Sequence, residues 1–545
     1  MDLILINGNI ITMNDAYPKA EAMAINGGEF VKVGSNEEVL NFRTEDTKIL
    51  DLRNKTVVPG FNDSHMHLLE FGYSLTKVDL NGSKSIDEVI ERAKSFLKNS
   101  DMSEKDWVKG RGWNQDIFKE KRFLNRYDLD KISKETPIYM TRVCGHVIAV
   151  NSKALEIMGV SKNTPQIEGG HFDVDEKGEP TGIFRENARD YIFNCVNPPK
   201  REDIKLMIME AADAYAAQGI TSVQTEDLDA LPGIHYEEIL NAYKELAEAG
   251  KLKIRIYEQC IFRDINTYKD FLSKGYKTGY GDDYFKIGPL KLVRDGALGG
   301  RTALLREPYS DDPASIGISC FTQEELDEWV LTAQAANMTV AVHCIGDAAM
   351  YSALDSIEKA KKSVYKEDMR HSIIHCQITE KEIINRFREL GVIAHVQPIF
   401  LDYDLHIVED RVGKERAKYT YNFKRMLDEG VHVAGGSDYP YCEFYQVFLN
   451  LHAAINRQDI NGFPKGGWLP DQKLSVSEAI GIFTKGSAYA SYDEERKGII
   501  GEGKLADFFV MSDDIYMIKP SEIKNMQVEM TFMGGNLVYE RADIR

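Results

Sequence analysis

The chain has 545 residues, enough for a large buried core, and its 43% hydrophobic and 28% charged side chains are those of a soluble globular protein. Lysine and arginine number 67 against 86 aspartate and glutamate, a formal net charge of −19 that argues against a nucleic acid partner, because binding a polyanion needs a basic surface. No window approaches the roughly 18 apolar residues of a spanning helix, so no membrane partner is expected.

Residues 1–9 start apolar but lack the basic run and small-residue cleavage site of a signal peptide. The seven cysteines are scattered and contain no CxxC pair, which suits a reducing compartment and makes the cytoplasm the expected address. Residues 2 to about 55 read as short strands at 3–13, 22–33 and 49–52, the second turned at Asn26-Gly27-Gly28, which is hairpin chemistry. The far end repeats the style at 504–511 and 528–540, turned at Gly534-Gly535-Asn536. One small β-sandwich domain built from both termini, residues 1–56 and 495–545, is the expectation.

Between the termini, short buried strands alternate with helices, the pattern of a parallel α/β core. Strands are expected at 57–67, 220–225, 253–259, 285–293, 339–344, 372–376, 392–397 and 432–435. Helices fit between most of them, for example at 201–218, 236–248, 322–336, 347–361, 379–390 and 419–429. Such units predict a (β/α)8 TIM barrel over residues 57–79 and 205–494, with its chemistry at the C-terminal strand ends. The stretch 80–204, with a helix at 85–97 and a strand-like run at 137–150, is too long for a barrel loop. It is expected to be an insertion after the first barrel strand that covers the mouth and shapes the substrate pocket.

His65 and His67 end the first of these strands. Positions i and i+2 of a strand point to one side, so both imidazoles can reach one metal ion. The remaining candidate ligands fall at or just beyond later strand ends: Lys291, His343 after Val340-Ala341-Val342, His375 after Ser372-Ile373-Ile374, and Asp438 after Gly435-Gly436-Ser437. Each alone has a plainer explanation as a packing histidine, a turn aspartate or a lysine snorkelling outward. In order along successive barrel strands, they point to one centre. Imidazole and carboxylate donors suit zinc and other borderline divalent ions.

The run Pro59-Gly60-Phe61-Asn62-Asp63-Ser64-His65-Met66-His67 resembles the PGFxDxHxH signature of the amidohydrolase superfamily, and Gly498 to Phe508 is similar to its C-terminal GxIxxGxxADF run. Lys291-Leu292-Val293-Arg294-Asp295-Gly296, His343-Cys344-Ile345-Gly346-Asp347, and Gly145-His146 followed by Asn151-Ser152-Lys153 narrow the resemblance to the amidohydrolase 3 group of metal-dependent hydrolases. This resemblance implies that His65 and His67 hold a first metal, with Asp438 as a nearby ligand and proton acceptor. It implies too that Lys291 is carboxylated and bridges two metals, the second held by His343 and His375. An ammonium has no lone pair for a cation, whereas burial favours the neutral amine that can take up CO2. One or two zinc ions are expected, with manganese, iron or cobalt as substitutes. In one departure, Ile374 stands where the group often has a glutamate before the second-metal histidine.

The expected reaction is hydrolysis of a non-peptide C–N bond in a small molecule, an N-acyl or N-formyl amide or a cyclic amide or imide. A metal-activated hydroxide would attack, Asp438 would serve as general base and then acid, and the metal, His146 or Arg301 would stabilise the oxyanion. Trp113 and Asn114 could line the pocket, and Arg142 or Arg301 could hold a substrate carboxylate. Two alternatives stay open: an esterase or carbamate hydrolase with the same site, and a catalytically inactive regulatory binding protein, which the full ligand set disfavours. Nothing in the sequence fixes the oligomeric state, and a homo-oligomer such as a dimer would be unsurprising.

Overall fold

The apolar run that ends in His65 and His67 belongs to two strands, not one. In a computed structural model that describes residues 1–99, 106–231 and 233–542, Thr56–Pro59 joins a six-stranded sheet and Phe61–Met66 joins an eight-stranded one. The break is Gly60, where a Cβ would lie 2.1 Å from Thr221 Oγ1, so only glycine lets the chain pass. Asn7, at φ 56°, likewise divides the expected strand 3–13 into Leu3–Ile6 and Asn9–Ile11, which lie in different sheets.

The eight-stranded sheet is a (β/α)8 barrel. Its strands are β1 (Phe61–Met66), β2 (Ile220–Thr225), β3 (Arg255–Ile261), β4 (Phe285–Val293), β5 (Val340–Cys344), β6 (Ser372–His375), β7 (Ile393–Val396) and β8 (Val433–Gly435). Each pairs in parallel with its neighbour in chain order. Nearly every strand residue is buried, as expected where helices cover the outer face of a parallel sheet. Helix Asp347–Ser363 shows how: Ala349, Met350, Ala353, Leu354 and Ile357 recur at helical spacing and are all buried. The helix expected at 419–429 is shorter, Phe423–Asp428, because Tyr421 takes a left-handed φ of 51°.

The ring closes just beyond β8. Asp438 N–H donates to His65 O at 2.8 Å and His67 N–H to Tyr439 O at 2.9 Å. Asp63 clamps the same seam, accepting the Ser437 N–H at 2.9 Å and its hydroxyl at 2.6 Å. Gly436 permits the approach, for a Cβ there would meet His65 N at 2.7 Å.

Two further sheets come from the ends of the chain, the first from the N-terminal segment alone and the second from both termini. One orders Glu29–Gly34, Ala22–Asn26, Leu3–Ile6 and Lys48–Asp51; the other orders Asn536–Glu540, Val528–Met533, Phe508–Met511, Thr56–Pro59, Asn9–Ile11 and Lys19–Ala20. Leu5, Met23, Phe30, Val57, Phe508 and Phe532 fill the core that these sheets share. These sheets and the barrel form one compact unit, residues 1–70 with 208–545. A buried ion pair joins them: Arg255 of β3 holds Asp507 bidentately at 2.7 and 2.9 Å, with both side chains almost fully covered. The aspartate of the C-terminal motif therefore has a structural partner on the barrel.

Residues 71–207 form the second unit. Its six-stranded sheet orders Gly170–Val174, Pro180–Glu186, Val147–Val150, Ile138–Arg142, Val108–Trp113 and Val78–Asp79, and helix Ile86–Asn99 shares a core with Val108, Trp113 and Met140. The expected strand 137–150 is instead an antiparallel pair, Ile138–Arg142 with Val147–Val150, because Gly145 turns the chain at φ 75°.

Asp507→Ala leaves the Arg255 guanidinium buried without a carboxylate and is expected to cost about 3–5 kcal/mol of stability. Arg263→Ala removes an exposed pair with Asp229 and is expected to cost less than about 1 kcal/mol. Denaturant unfolding of the two variants decides the matter; equal losses would refute the structural weight given to the buried pair.

Candidate metal centre

His65 in β1, His67 just past it, Lys291 in β4, His343 in β5, His375 at the end of β6 and Asp438 past β8 all line one cavity of about 700 Å³. The His65 ring lies 5.3 Å from that of His67 and 5.6 Å from that of His375, which is 4.4 Å from His343. Asp438 Oδ1 is 3.2 Å from Nε2 of both His65 and His67. A tetrahedral zinc with ligand bonds of ~2.0–2.1 Å holds its ligand atoms roughly 3.3 Å apart, so these contacts have the spacing of a coordination edge. Among the described residues, His65, His67 and Asp438 form a buried group whose donor atoms all lie within 4.8 Å of one another.

Every imidazole has one nitrogen committed to an acceptor. His65 Nδ1–H donates to Gln259 Oε1 at 2.6 Å, and His375 Nδ1–H to Gln397 Oε1 at 2.9 Å. His67 Nδ1–H donates to Glu226 O at 3.3 Å, and His343 Nε2–H to Gly296 O at 3.2 Å. That leaves a lone pair on His343 Nδ1 and His375 Nε2, while the Nε2 atoms of His65 and His67 face Asp438 Oδ1, where a cation would take the place of a proton.

The backbone is strained at two of these positions, with φ of 61° at Asp438 and 80° at His375. Left-handed conformations at non-glycine residues cost of order 1–3 kcal/mol and collect at functional sites. At Asp438 the strained conformation is fixed by its N–H bond to His65 O.

Electrostatics divide the centre. Burial would lower the pKa of His67, but its hydrogen bond to Asp438 and the charges of Glu226 and Asp438 push it up to about 9. The field at His67 therefore favours positive charge. Burial would likewise raise Asp438, yet hydrogen bonds from His65 and His67 hold it well below the usual carboxylate range. Burial and then the Lys291 charge bring His343 down to about 4, and burial with the neighbouring His343 takes His375 well below the imidazole range. Neutral rings of this kind are competent donors.

Glu226, directly after β2, was not singled out in the sequence. Its Oε2 accepts a hydrogen bond from Lys291 Nζ, and both side chains are buried. Burial would raise this carboxyl, but Lys291 and His67 outweigh it and lower its pKa. The strand-end rule that marked the histidines could have found it, because Glu226 follows the expected strand 220–225 without a gap.

The other sequence candidates have contacts of their own. Arg301 is absent from the cavity lining, and its guanidinium holds Asp311 at 3.1 and 2.9 Å. His146 belongs to the second unit, where it is exposed and its Nδ1 lies 3.0 Å from Glu186 Oε2. In the same unit Trp113 is fully buried and donates to Met140 O at 2.8 Å, while Arg142 is hydrogen bonded to Asn114, Gln115 and Asp116.

Similarity to known proteins extends over nearly the whole chain. The sequence model described as amidohydrolase family matches residues 48–539. YtcJ of Bacillus subtilis is 33% identical, over 99% of this chain and 100% of its own length. The N-substituted formamide deformylase of Arthrobacter pascens is 26% identical, over 99% of this chain and 98% of its own. The crystal structure of an uncharacterized metal-dependent hydrolase from Pyrococcus furiosus aligns with a TM-score of 0.76 at 30% identity, covering 94% of this chain and 99% of that one.

If Gln397 fixes the His375 tautomer, Gln397→Leu should weaken divalent metal binding about 10- to 100-fold with little loss of fold. Zinc titration against a chromophoric chelator measures it, and unchanged affinity would show that the contact orients nothing.

Proposed function

The chain belongs to the amidohydrolase family, and on that premise we propose that it hydrolyses a non-peptide C–N bond in a small molecule, the amide of an N-formyl or N-acyl compound or a cyclic amide or imide. The observation that carries this reading is the contact of Asp438 Oδ1 with both His65 and His67 Nε2 at 3.2 Å, in a cavity large enough for a small substrate. The printed function of the Arthrobacter relative, an N-substituted formamide deformylase, supports the choice of amide.

His65, His67 and Asp438 would hold one divalent ion and His343 and His375 a second, zinc or in its place manganese, iron or cobalt. Such an ion supplies water with its pKa lowered toward about 7 and polarises a carbonyl. Asp438 takes the proton from the attacking water and returns it to the departing nitrogen, as base and then acid. Leu298, Ile399, Phe400, Tyr403 and Phe444 give the cavity an apolar wall that seats a hydrophobic substituent and excludes bulk water. Among the described residues the lining holds no arginine for a substrate carboxylate, and Arg301, outside it, is held by Asp311. The seven free cysteines suit a cytoplasmic location, and no helix of the described residues is long and apolar enough to cross a membrane.

The state of Lys291 is tied to the number of ions by charge. A carboxylated Lys291 adds a third negative group beside Glu226 and Asp438, and two divalent ions balance that set. The hydrogen bond from Lys291 Nζ to Glu226 favours a second reading, an ammonium paired to Glu226 and a single ion. Metal content per chain, with and without added bicarbonate, separates the two: carboxylation predicts two equivalents that fall toward one in Lys291→Ala and recover in part with a short carboxylic acid. One equivalent, insensitive to bicarbonate, would establish the ammonium.

Zinc-loaded protein should hydrolyse at least one of a set of N-formyl, N-acyl and cyclic imide compounds, and Asp438→Asn should lower that kcat by at least about 100-fold. Failure of the wild type on the entire set, with full metal content, would point to the inactive binding protein instead.

A further inference from the structure

Three buried glutamines stand at strand ends around the centre, and two are committed: Gln259 accepts from His65 and Gln397 from His375. The third, Gln377, comes two residues after His375, is 2% exposed and lines the cavity. Its carbonyl oxygen is buried with no hydrogen-bond partner, and its amide nitrogen has none among the described residues. Its main chain is held firmly, with Tyr421 N–H donating to Gln377 O and Ile378 N–H to Ile345 O, both at 2.9 Å. Three carboxylates of the lining already have partners: Asp402 accepts the Ile460 N–H at 2.6 Å, Asp404 accepts the Tyr421 hydroxyl, and Glu226 accepts from Lys291. A buried carboxamide without a partner is unfavourable; its oxygen is covered, so a partner arriving from the cavity meets it only once the carboxamide has turned.

We propose that Gln377 reads the amide group of the substrate, its Oε1 accepting the N–H of a secondary amide, lactam or imide. Neither end of the carboxamide is committed, so a half turn about its last side-chain bond presents oxygen or nitrogen to the cavity without breaking a hydrogen bond. An ester or an N,N-disubstituted amide of the same shape has no N–H and leaves the acceptor unpaired. A site built to bond an N–H rejects such analogues for that reason. Gln377 thereby separates amide from ester, a distinction that an activated water alone does not make. The inference rests on the hydrolase reading above and names its substrate class.

The test uses zinc-loaded protein and three matched probes: N-benzylformamide, benzyl formate and N-benzyl-N-methylformamide. Activity is read as kcat/KM, and binding as a calorimetric dissociation constant in an Asp438→Asn background, where turnover is suppressed. Gln377→Leu should weaken both readouts for N-benzylformamide about 10- to 100-fold and change those for the other two by less than about threefold. Gln377→Glu keeps an acceptor and should restore most of the secondary-amide preference, which a folding defect would not. Parallel losses on all three probes in Gln377→Leu, or no loss on the secondary amide, would overturn the proposal. Binding that tracks Gln377 with no turnover of any probe would overturn the hydrolase reading and leave the recognition role standing.

Discussion

Closure of the barrel and the geometry of the candidate centre are coupled, because the segments that hydrogen bond across the last seam also carry His65, His67 and Asp438. Asp438 N–H meets His65 O, and His67 N–H meets Tyr439 O, so two main-chain bonds set the distances among three donor side chains. Asp63 stands behind this seam. Burial pushes its carboxyl up to about 7 despite the Ser437 and His65 hydrogen bonds. In such surroundings an unpaired carboxyl is costly, so the Asp63 to Ser437 bonds tightly specify one register of β8 against β1. Gly436 completes the constraint by keeping that approach free of a side chain.

Much of this was legible in the sequence, and the reasons differ by residue. His65 and His67 could be paired because strand geometry places i and i+2 on one side, and His343, His375 and Asp438 because barrel strands present their C-terminal ends together. The hydrophobic pattern misled wherever a glycine or a left-handed residue ended a strand inside an apolar run, as at Asn7, Gly60 and Gly145. Composition does not change at those points, and only the direction of the chain does. Glu226 and the three glutamines were passed over for another reason. Each is an ordinary polar residue, and its role depends on which neighbour its side chain reaches across the barrel. Motif matching also drew attention to Arg301, but a motif says nothing of the carboxylate that already occupies a guanidinium.

The partners of the imidazoles explain how the centre keeps its charge. All four rings have a neutral hydrogen-bond acceptor, two carboxamides and two main-chain carbonyls, and His343 Nε2 also lies 3.5 Å from Asp295 Oδ1. A carboxylate in the same place would make each ring more basic and would pass negative charge toward whatever cation the ring holds. Neutral acceptors fix the tautomer without that effect, and the carboxylates that raise His67 to about 9 are Asp438 and Glu226, whereas burial and the Lys291 charge take His343 down to about 4. Positive charge is favoured at His67, beside Asp438 and Glu226, while burial holds His343 and His375 toward the neutral form. An arrangement that localises charge in this way stabilises a cation and still leaves it able to polarise what it binds, and that requirement distinguishes a reactive centre from a merely structural one.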